Sequence, residues 1–203
     1  MKCSTPRIGA FAALVTMVMW TSCIFDTRDA HPPKVVGGGC VLDESNKAFA
    51  CMAAALTALR DADYLRSISE TFVFSPTTAD SLDQNFNGKC PYENWTKEVE
   101  RENIGFLVSN SSALTWDYGT PTIQRQNTTF VRFVVDYSLL VASNAAPPDT
   151  TEYRGIAEID VRNEGGNWRV TYWKETQTVP DFSTWGFLRG TIRDQLGDAG
   201  CGP

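Results

Sequence analysis

Two runs of alternating residues near the C-terminal end constrain this chain more than any other feature. Apolar side chains occupy every second position of the two runs: Ala157, Ile159 and Val161, then Trp168, Val170 and Tyr172. Such alternation is typical of β-strands that bury one face, and the pair Gly165-Gly166 between the runs suits a tight turn. We therefore predict a β-hairpin. Because its aromatic residues require a large apolar partner surface, we expect helices packed across one face of a curved sheet.

The longest predicted strand, over residues 130–141, has the same two-sided pattern. One face carries Val131, Phe133, Val135, Tyr137, Leu139 and Val141, and the other carries Arg132, Asp136 and Ser138. With Glu158, Asp160, Arg162 and Arg169 of the hairpin, the polar face predicts cross-strand ion pairs on a solvated surface rather than an acid–base centre. A further strand is predicted over 113–119, and the polar residues 122–127 are either an edge strand or a loop.

Helical spacing dominates the chain between residue 40 and these strands. Phe49, Met52 and Leu56 recur at that spacing and predict an amphipathic helix over 44–60. A short second helix begins at Asp61, an extended segment covers 71–76, and the polar residues 77–91 are interpreted as a surface loop. A third helix is predicted over 92–103, with Trp95 and Val99 on one face and a solvated face of Lys97, Glu98, Glu100, Arg101 and Glu102. The predicted fold class is α+β.

The first residues have the pattern of an export signal. Positive charges precede an apolar run over 8–20, which is too short to span a membrane and suits the core of a signal peptide. The following Trp20-Thr-Ser-Cys23 resembles the lipobox of bacterial lipoproteins, although Leu is commoner than Trp at its first position. This resemblance implies a signal peptide over 1–22, a lipid on Cys23 and an extracytoplasmic protein anchored to the membrane. Residues 23–40, rich in Pro and Gly, predict a flexible tether, and residues 41–203 predict a single domain.

Charge and histidine content exclude several classes of function. The formal net charge is −6, and no stripe of Lys and Arg interleaved with aromatic residues occurs, so we do not expect nucleic-acid binding. The single histidine, His31, lies in the predicted tether, so the predicted domain lacks the commonest general base and metal ligand. We expect no metal and no cofactor.

Four cysteines accompany the predicted domain: Cys40, Cys51, Cys90 and Cys201. An even number in an exported protein favours disulfides, and the lack of a Cys-x-x-Cys spacing argues against zinc. Four cysteines allow three pairings. Of these we predict Cys40 with Cys51 and Cys90 with Cys201, because the second bond would hold the Gly-rich C-terminus.

The aromatic residues of the hairpin resemble those of nuclear transport factor 2-like domains, in particular the versions found in predicted bacterial lipoproteins. The resemblance rests on Trp168-x-Val170-x-x-Trp173-x-Glu175 and on Thr184-Trp-Gly-x-Leu188, and it extends back to Phe49. The lipoprotein versions usually carry Asp where this chain has Glu175. The resemblance implies a cone-shaped α+β fold, in which N-terminal helices close over a curved antiparallel sheet.

Members of this family place their binding or catalytic residues inside the cone. The pocket-lining positions that the resemblance implies here are Trp95, Trp116, Tyr118, Phe133, Tyr137, Trp173 and Glu175. No catalytic constellation stands out, so we expect a membrane-anchored module that binds a small hydrophobic ligand or a partner protein. The alternative is an isomerase, dehydratase or cyclase in which Tyr137 donates a proton and Glu175 acts as the base. A homodimer through the open face of the sheet is also expected to be feasible.

Overall fold

The computed structural model describes residues 40–198 and residue 200. The predicted signal peptide, Cys23, the tether up to residue 39 and Cys201 lie outside the described residues. The described chain contains six strands, five α-helices and one 3₁₀ turn. In chain order these are α1 (Lys47–Thr57), α2 (Asp61–Arg66), β1 (Ile68–Ser75), α3 (Thr78–Ser81), the 3₁₀ turn (Gln84–Phe86), α4 (Lys97–Ser109), β2 (Ser111–Tyr118), β3 (Thr122–Asn127), β4 (Phe130–Ser143), β5 (Thr150–Glu164), β6 (Asn167–Thr178) and α5 (Trp185–Gln195).

All six strands form one sheet with β5 and β4 at its centre. The strand order is β1-β6-β5-β4-β2, and β3 pairs with β4 beyond the end of β2. β1 runs parallel to β6, whereas the other described pairs are antiparallel. The predicted hairpin is β5–β6, and it turns at Gly165 and Gly166, whose φ angles of 63° and 90° suit glycine.

The helices cover one face of the curved sheet, and the core lies between the two layers. Alternation along β4 buries Val131, Phe133, Val135, Tyr137 and Leu139, as their spacing predicts. From the helical side, α1 contributes Phe49, Met52 and Leu56, all fully buried. The predicted class, helices on a curved and mostly antiparallel sheet, is therefore confirmed.

One predicted disulfide is confirmed within the described residues. Cys40 is bonded to Cys51 across a sequence separation of 11 residues, which fastens the chain entering α1 to the helix itself. Cys90 is also disulfide-bonded. Its predicted partner, Cys201, lies outside the described residues, so that pairing stays a prediction.

Several local predictions need correction. Residues 77–91 are not only a loop, because α3 begins there with a capping box between Thr77 and Asp80. The helix predicted from residue 92 begins at Lys97, since Asn94 adopts a φ of 51° and Thr96 is extended. The segment left open over 122–127 is the strand β3. No helix was predicted after residue 182, yet α5 begins at Trp185, with the Thr184 side chain accepting a hydrogen bond from the Phe187 N–H.

Candidate functional site

Tyr137 reaches the centre of the core because its neighbour on β5 has no side chain. Tyr137 pairs with Gly155, and a Cβ atom at Gly155 would lie 2.6 Å from the Tyr137 hydroxyl oxygen. The phenol therefore crosses over β5, and its hydroxyl donates a hydrogen bond of 2.8 Å to Oε2 of Glu175 on β6. The backbone N–H of Trp185 donates to the same hydroxyl oxygen at 2.9 Å. The two residues of the enzyme alternative thus meet inside the fold.

Both carboxylate oxygens of Glu175 already accept hydrogen bonds. Tyr137 occupies Oε2, and the indole Nε1–H of Trp173 donates to Oε1 at 3.0 Å. Nη1 of Arg189 lies 3.9 Å from Oε1, so a cation faces the carboxylate. Glu175 is 1% exposed and Tyr137 is 4% exposed. Solvent, and any solute of similar size, is kept away from this pair.

Burial dominates the protonation of the pair. Burial raises the pKa of Glu175 to about 7. The nearby Arg189 charge and the hydrogen bonds from Tyr137 and Trp173 favour the ionised form and lower the pKa, but their effect is smaller than that of burial. Burial also raises the pKa of Tyr137 well above its ordinary value, and the charge of Glu175 raises it further. A carboxyl group with a pKa near 7 has the proton affinity of a general base, but a base must also touch its substrate.

A second carboxylate in the core, Glu100 of α4, forms a bidentate ion pair with Arg189 of α5. Nη2 of Arg189 donates to Oε1 of Glu100 at 2.8 Å, and Nε donates to Oε2 at 3.2 Å. The Tyr64 hydroxyl adds a bond of 2.7 Å to Oε1, and Nε1 of Trp95 adds one of 2.9 Å to Oε2. Both charged side chains are 0% exposed. These four bonds offset the cost of removing the charges from water.

Aromatic rings fill the space around these polar groups. Trp185 is the centre of the cluster, with its ring centroid 5.6 Å from that of Trp116, 6.3 Å from that of Tyr137 and 5.1 Å from that of Trp173. The Arg189 guanidinium lies 4.3 Å above the Trp185 ring centroid. These contacts close the part of the cone in which the predicted residues lie.

The other predicted pocket residues belong to neighbouring parts of the same core. Phe133 and Tyr118 contact Phe49 of α1, with ring centroids 5.1 and 5.8 Å apart. Trp95 packs against Phe74, with ring centroids 5.2 Å apart. Its Nε1–H donates to Glu100, which links it to the centre of the core. The structure thus brings the seven predicted residues into one core, and their role in binding stays a prediction.

Two residues that organise this core were missed from the sequence, Glu100 and Arg189. Glu100 was predicted on a solvated face, but with Asn103, Ile104 and Leu107 it forms a buried stripe at helical spacing. Trp185 belongs to the motif that carries the family resemblance, but no helix was predicted there. In α5, Trp185, Leu188, Arg189 and Ile192 have helical spacing after the capping Thr184. Gly186 and Gly190, which are unfavourable within a helix, interrupt that pattern.

Three of the buried donors that have no acceptor among the described residues lie near the centre of the core. They are Nε1 of Trp116, Nε1 of Trp185 and Nη1 of Arg189. All three belong to the aromatic cluster around Trp185. The acceptors of Glu175 are satisfied, whereas these donors are not.

An open groove lies where β6 leaves the sheet. Its volume is about 410 Å³, within the range of small-molecule sites. Strand alternation places Asp117, Asp136, Arg154 and Ile156 on the sheet face opposite the core, and Val179 follows the last residue of β6; all five line the groove. Two predicted pocket residues, Tyr118 and Tyr137, also contribute to its lining.

The described residues form neither a metal-binding cluster nor a membrane-spanning helix. No group of three or more His, Cys, Asp or Glu side chains suited to a metal ion occurs within the described part of the chain. None of the helices between residues 40 and 198 is long and apolar enough to cross a membrane.

The arrangement of helices and sheet is similar to that of several solved structures. A nuclear transport factor 2-like superfamily protein from Salmonella enterica serovar Typhimurium has a TM-score of 0.51 at 10% identity, covering 66% of this chain and 89% of that chain. The domain is nuclear transport factor 2-like in fold. A candidate scytalone dehydratase from Novosphingobium aromaticivorans gives a TM-score of 0.53 at 8% identity, covering 66% of this chain and 81% of that chain.

A candidate aromatic ring hydroxylase from Novosphingobium aromaticivorans has a TM-score of 0.53 at 13% identity, with 66% of this chain and 87% of that chain covered. No protein-family model and no curated protein matches the sequence. Nuclear transport factor 2-like domains serve many functions on one fold, so the function of this one must be argued from its own residues.

Proposed function

We propose that this chain is a membrane-anchored, extracytoplasmic lipoprotein whose nuclear transport factor 2-like domain binds a small hydrophobic ligand without catalysis. The pattern of residues 1–22 and Cys23 supports the anchor. The Cys40–Cys51 disulfide is consistent with an oxidising compartment outside the cytoplasm. The observation that carries the binding role is the contrast between a filled interior and an open groove at the end of the sheet.

The interior argues against catalysis because its reactive groups are already used. Glu175 keeps lone pairs that could take a proton, but it is 1% exposed and is held between Tyr137 and Trp173, so a substrate cannot reach it without a rearrangement. A substrate would have to displace these bonds and also move Trp185, which covers the pair. The groove requires no such rearrangement, and Ile156 and Val179 give it an apolar surface.

The groove is tested by titrating the full-length protein in detergent with 4-fluorobenzyl alcohol, observed by fluorine NMR. We expect saturable binding that Ile156→Glu abolishes, because the new carboxylate occupies the apolar part of the groove. Ile123→Glu is the control, since Ile123 is a strand isoleucine outside the groove; it is 50% exposed, whereas Ile156 is half-buried. Binding that survives Ile156→Glu, or no saturable binding by the wild type, contradicts the proposal.

The anchor is tested in cells fed a radioactive fatty acid. The wild-type chain should take up label and fractionate with membranes, whereas Cys23→Ala should do neither. Cys3→Ala is the matched control, because Cys3 lies in the predicted signal peptide and would be removed with it. Equal labelling of all three proteins would show that Cys23 carries no lipid.

The enzyme alternative has one observation in its favour. The indole N–H groups of Trp116 and Trp185 have no acceptor in the described part of the chain. They lie near the buried tyrosine–carboxylate pair, and a bound carbonyl oxygen would supply an acceptor. If the interior is the site, Tyr137→Phe and Trp185→Phe should weaken binding of the fluorinated alcohol, and Ile156→Glu should leave it unchanged. The proposed function predicts the reverse pattern, so the same titration separates the two.

A further inference from the structure

Two acidic side chains in the groove, Asp117 and Asp136, form no ion pair with any residue that the structure describes. Asp117 pairs in register with Ser138, and Asp136 lies two residues before Ser138 on the same strand. Both carboxylates therefore project from the same face of the sheet, as diagonal neighbours about 7–8 Å apart at the backbone. Both residues are exposed.

The ion pairs of this outer face, among the described residues, involve other side chains. Arg132 pairs with Glu158 and with Asp160, and Arg169 pairs with Glu164. Asp117 and Asp136 thus add two negative charges on neighbouring strands of one sheet face, unpaired among the described residues, and both would attract a cation bound between them.

Arg154 is the one cation among the groove residues named above, and it already contacts a carboxylate and an aromatic ring. Its Nε donates to Oε1 of Glu152 at 2.7 Å, and its guanidinium lies 4.4 Å from the centroid of the Phe182 ring. These contacts leave the groove negative at Asp117 and Asp136 and apolar at Ile156 and Val179.

We propose that the groove selects an organic ammonium ion, a primary amine carried on a compact apolar body. The apolar body would lie against Ile156 and Val179, and the ammonium group would lie between Asp117 and Asp136. This inference rests on the proposed function, because it names the class of ligand that the same groove takes. An anionic ligand of the same shape would meet two carboxylates and an arginine already paired with Glu152.

The test compares three probes of one shape on the full-length protein in detergent: 4-fluorobenzylamine, 4-fluorobenzyl alcohol and 4-fluorobenzoate. Exposed ion pairs contribute modestly, so we expect the amine to bind roughly fivefold to tenfold more tightly than the alcohol. The benzoate should bind more weakly than the alcohol. Raising the salt concentration should weaken the binding of the amine and leave that of the alcohol unchanged.

The decisive variant is Asp117→Asn/Asp136→Asn, which keeps the size of both side chains and is exposed enough to leave folding intact. It should abolish the preference for the amine, so that the amine and the alcohol bind this variant with equal affinity. The matched control is Glu98→Gln/Glu102→Gln on α4, which removes the same charge from exposed positions outside the groove and should leave the preference for the amine in place.

The outcomes separate the two proposals. Groove-dependent binding of the alcohol with no preference for the amine, a preference for the benzoate, or a preference that survives Asp117→Asn/Asp136→Asn would overturn this inference and leave the proposed function standing. Binding of none of the probes, or binding unaffected by Ile156→Glu, would overturn the proposed function itself.

Discussion

Asp136 and Tyr137 are consecutive residues of β4, and they occupy opposite sides of one sheet. Tyr137 points into the core, where its hydroxyl is bonded to Glu175 and to the Trp185 N–H. Asp136 faces solvent at the edge of the groove. A single strand thus supplies one residue to a closed interior and the next to an open surface. In the proposed function, the interior maintains the fold and the groove binds the ligand.

Two bidentate ion pairs among the described residues show the same contrast in energetic terms. Arg132 donates to Asp160 through Nε at 2.6 Å and through Nη2 at 2.8 Å, a geometry similar to that of Arg189 with Glu100. The side chains of Arg132 and Asp160 are 32% and 9% exposed, whereas those of Arg189 and Glu100 are both 0% exposed. Removing the arginine should therefore cost less in the outer pair, because water can reach the space that Arg132 leaves beside Asp160, whereas Glu100 stays enclosed.

The largest effect is expected from Arg189→Met. This change leaves Glu100 without its ion-pair partner and Glu175 without a facing cation, so unfolding free energy should fall by about 3–5 kcal/mol. Urea denaturation followed by circular dichroism measures the loss. A cost below about 1 kcal/mol, as for a surface pair, would mean that this pair is not buried in solution.

Gly155→Ala should have the next largest effect. The added Cβ would lie 2.6 Å from the Tyr137 hydroxyl oxygen, so the ring must shift and its bonds to Glu175 and Trp185 must lengthen. Overpacking of this kind costs about 1–3 kcal/mol. Gly119→Ala is the matched control, because its nearest contact would be an ordinary 3.8 Å, and its stability should hardly change. Equal stability of the two variants would show that the Tyr137 ring does not cross over Gly155.

The pH dependence of stability should report the interior carboxylate. The folded-state pKa of Glu175 is raised to about 7 from an ordinary value of 4.5, so the native state binds its proton more tightly than the unfolded state. Its contribution is therefore fully present below pH 4.5 and is lost as the pH rises through 7, with a slope of at most about 1.4 kcal/mol per pH unit. The difference in unfolding free energy between wild type and Glu175→Gln isolates this group. A difference independent of pH over that window would contradict the raised pKa.

Arg132→Met should have the smallest effect. The partly exposed pair with Asp160 should contribute about 1 kcal/mol or less, and the loss should shrink at high salt. Measured beside Arg189→Met in the same denaturation series, it sharpens the contrast between the two pairs. Equal losses would remove that contrast.

The sheet could be predicted from the sequence because strand alternation is a local property. The faces of β4, the hairpin of β5 and β6 and the outer ion pairs follow from period-two spacing. The predicted buried face of β6 is wrong at Tyr172, because a register shift after Val170 leaves Tyr172 half-buried and buries Trp173 instead. Helix α1 was predicted within a few residues for the same reason, since its periodicity is uninterrupted. The Cys40–Cys51 bond joins residues close in sequence and needed no tertiary knowledge.

The centre of the core could not be predicted in the same way. Glu100 and Arg189 are ordinary surface residues by type, and only the tertiary fold brings them together across 89 residues of sequence. Glycines within α5 hid its helical spacing, although Gly186 is required because a Cβ there would lie 3.0 Å from Oδ2 of Asp80. The groove was missed because it forms where β6 ends, and strand ends are poorly marked in the sequence.

The most direct test of the account measures both stability and affinity for 4-fluorobenzylamine in Tyr137→Phe and Asp136→Asn. Tyr137→Phe removes only the hydroxyl, which is bonded inside the core, and keeps the rest of the residue, which contributes to the groove. It should therefore lower the unfolding free energy by about 1–3 kcal/mol and leave the affinity unchanged. Asp136→Asn should change stability by less than about 0.5 kcal/mol and weaken binding. The opposite result, with binding lost in Tyr137→Phe and intact in Asp136→Asn, would contradict the account and place the ligand inside the cone.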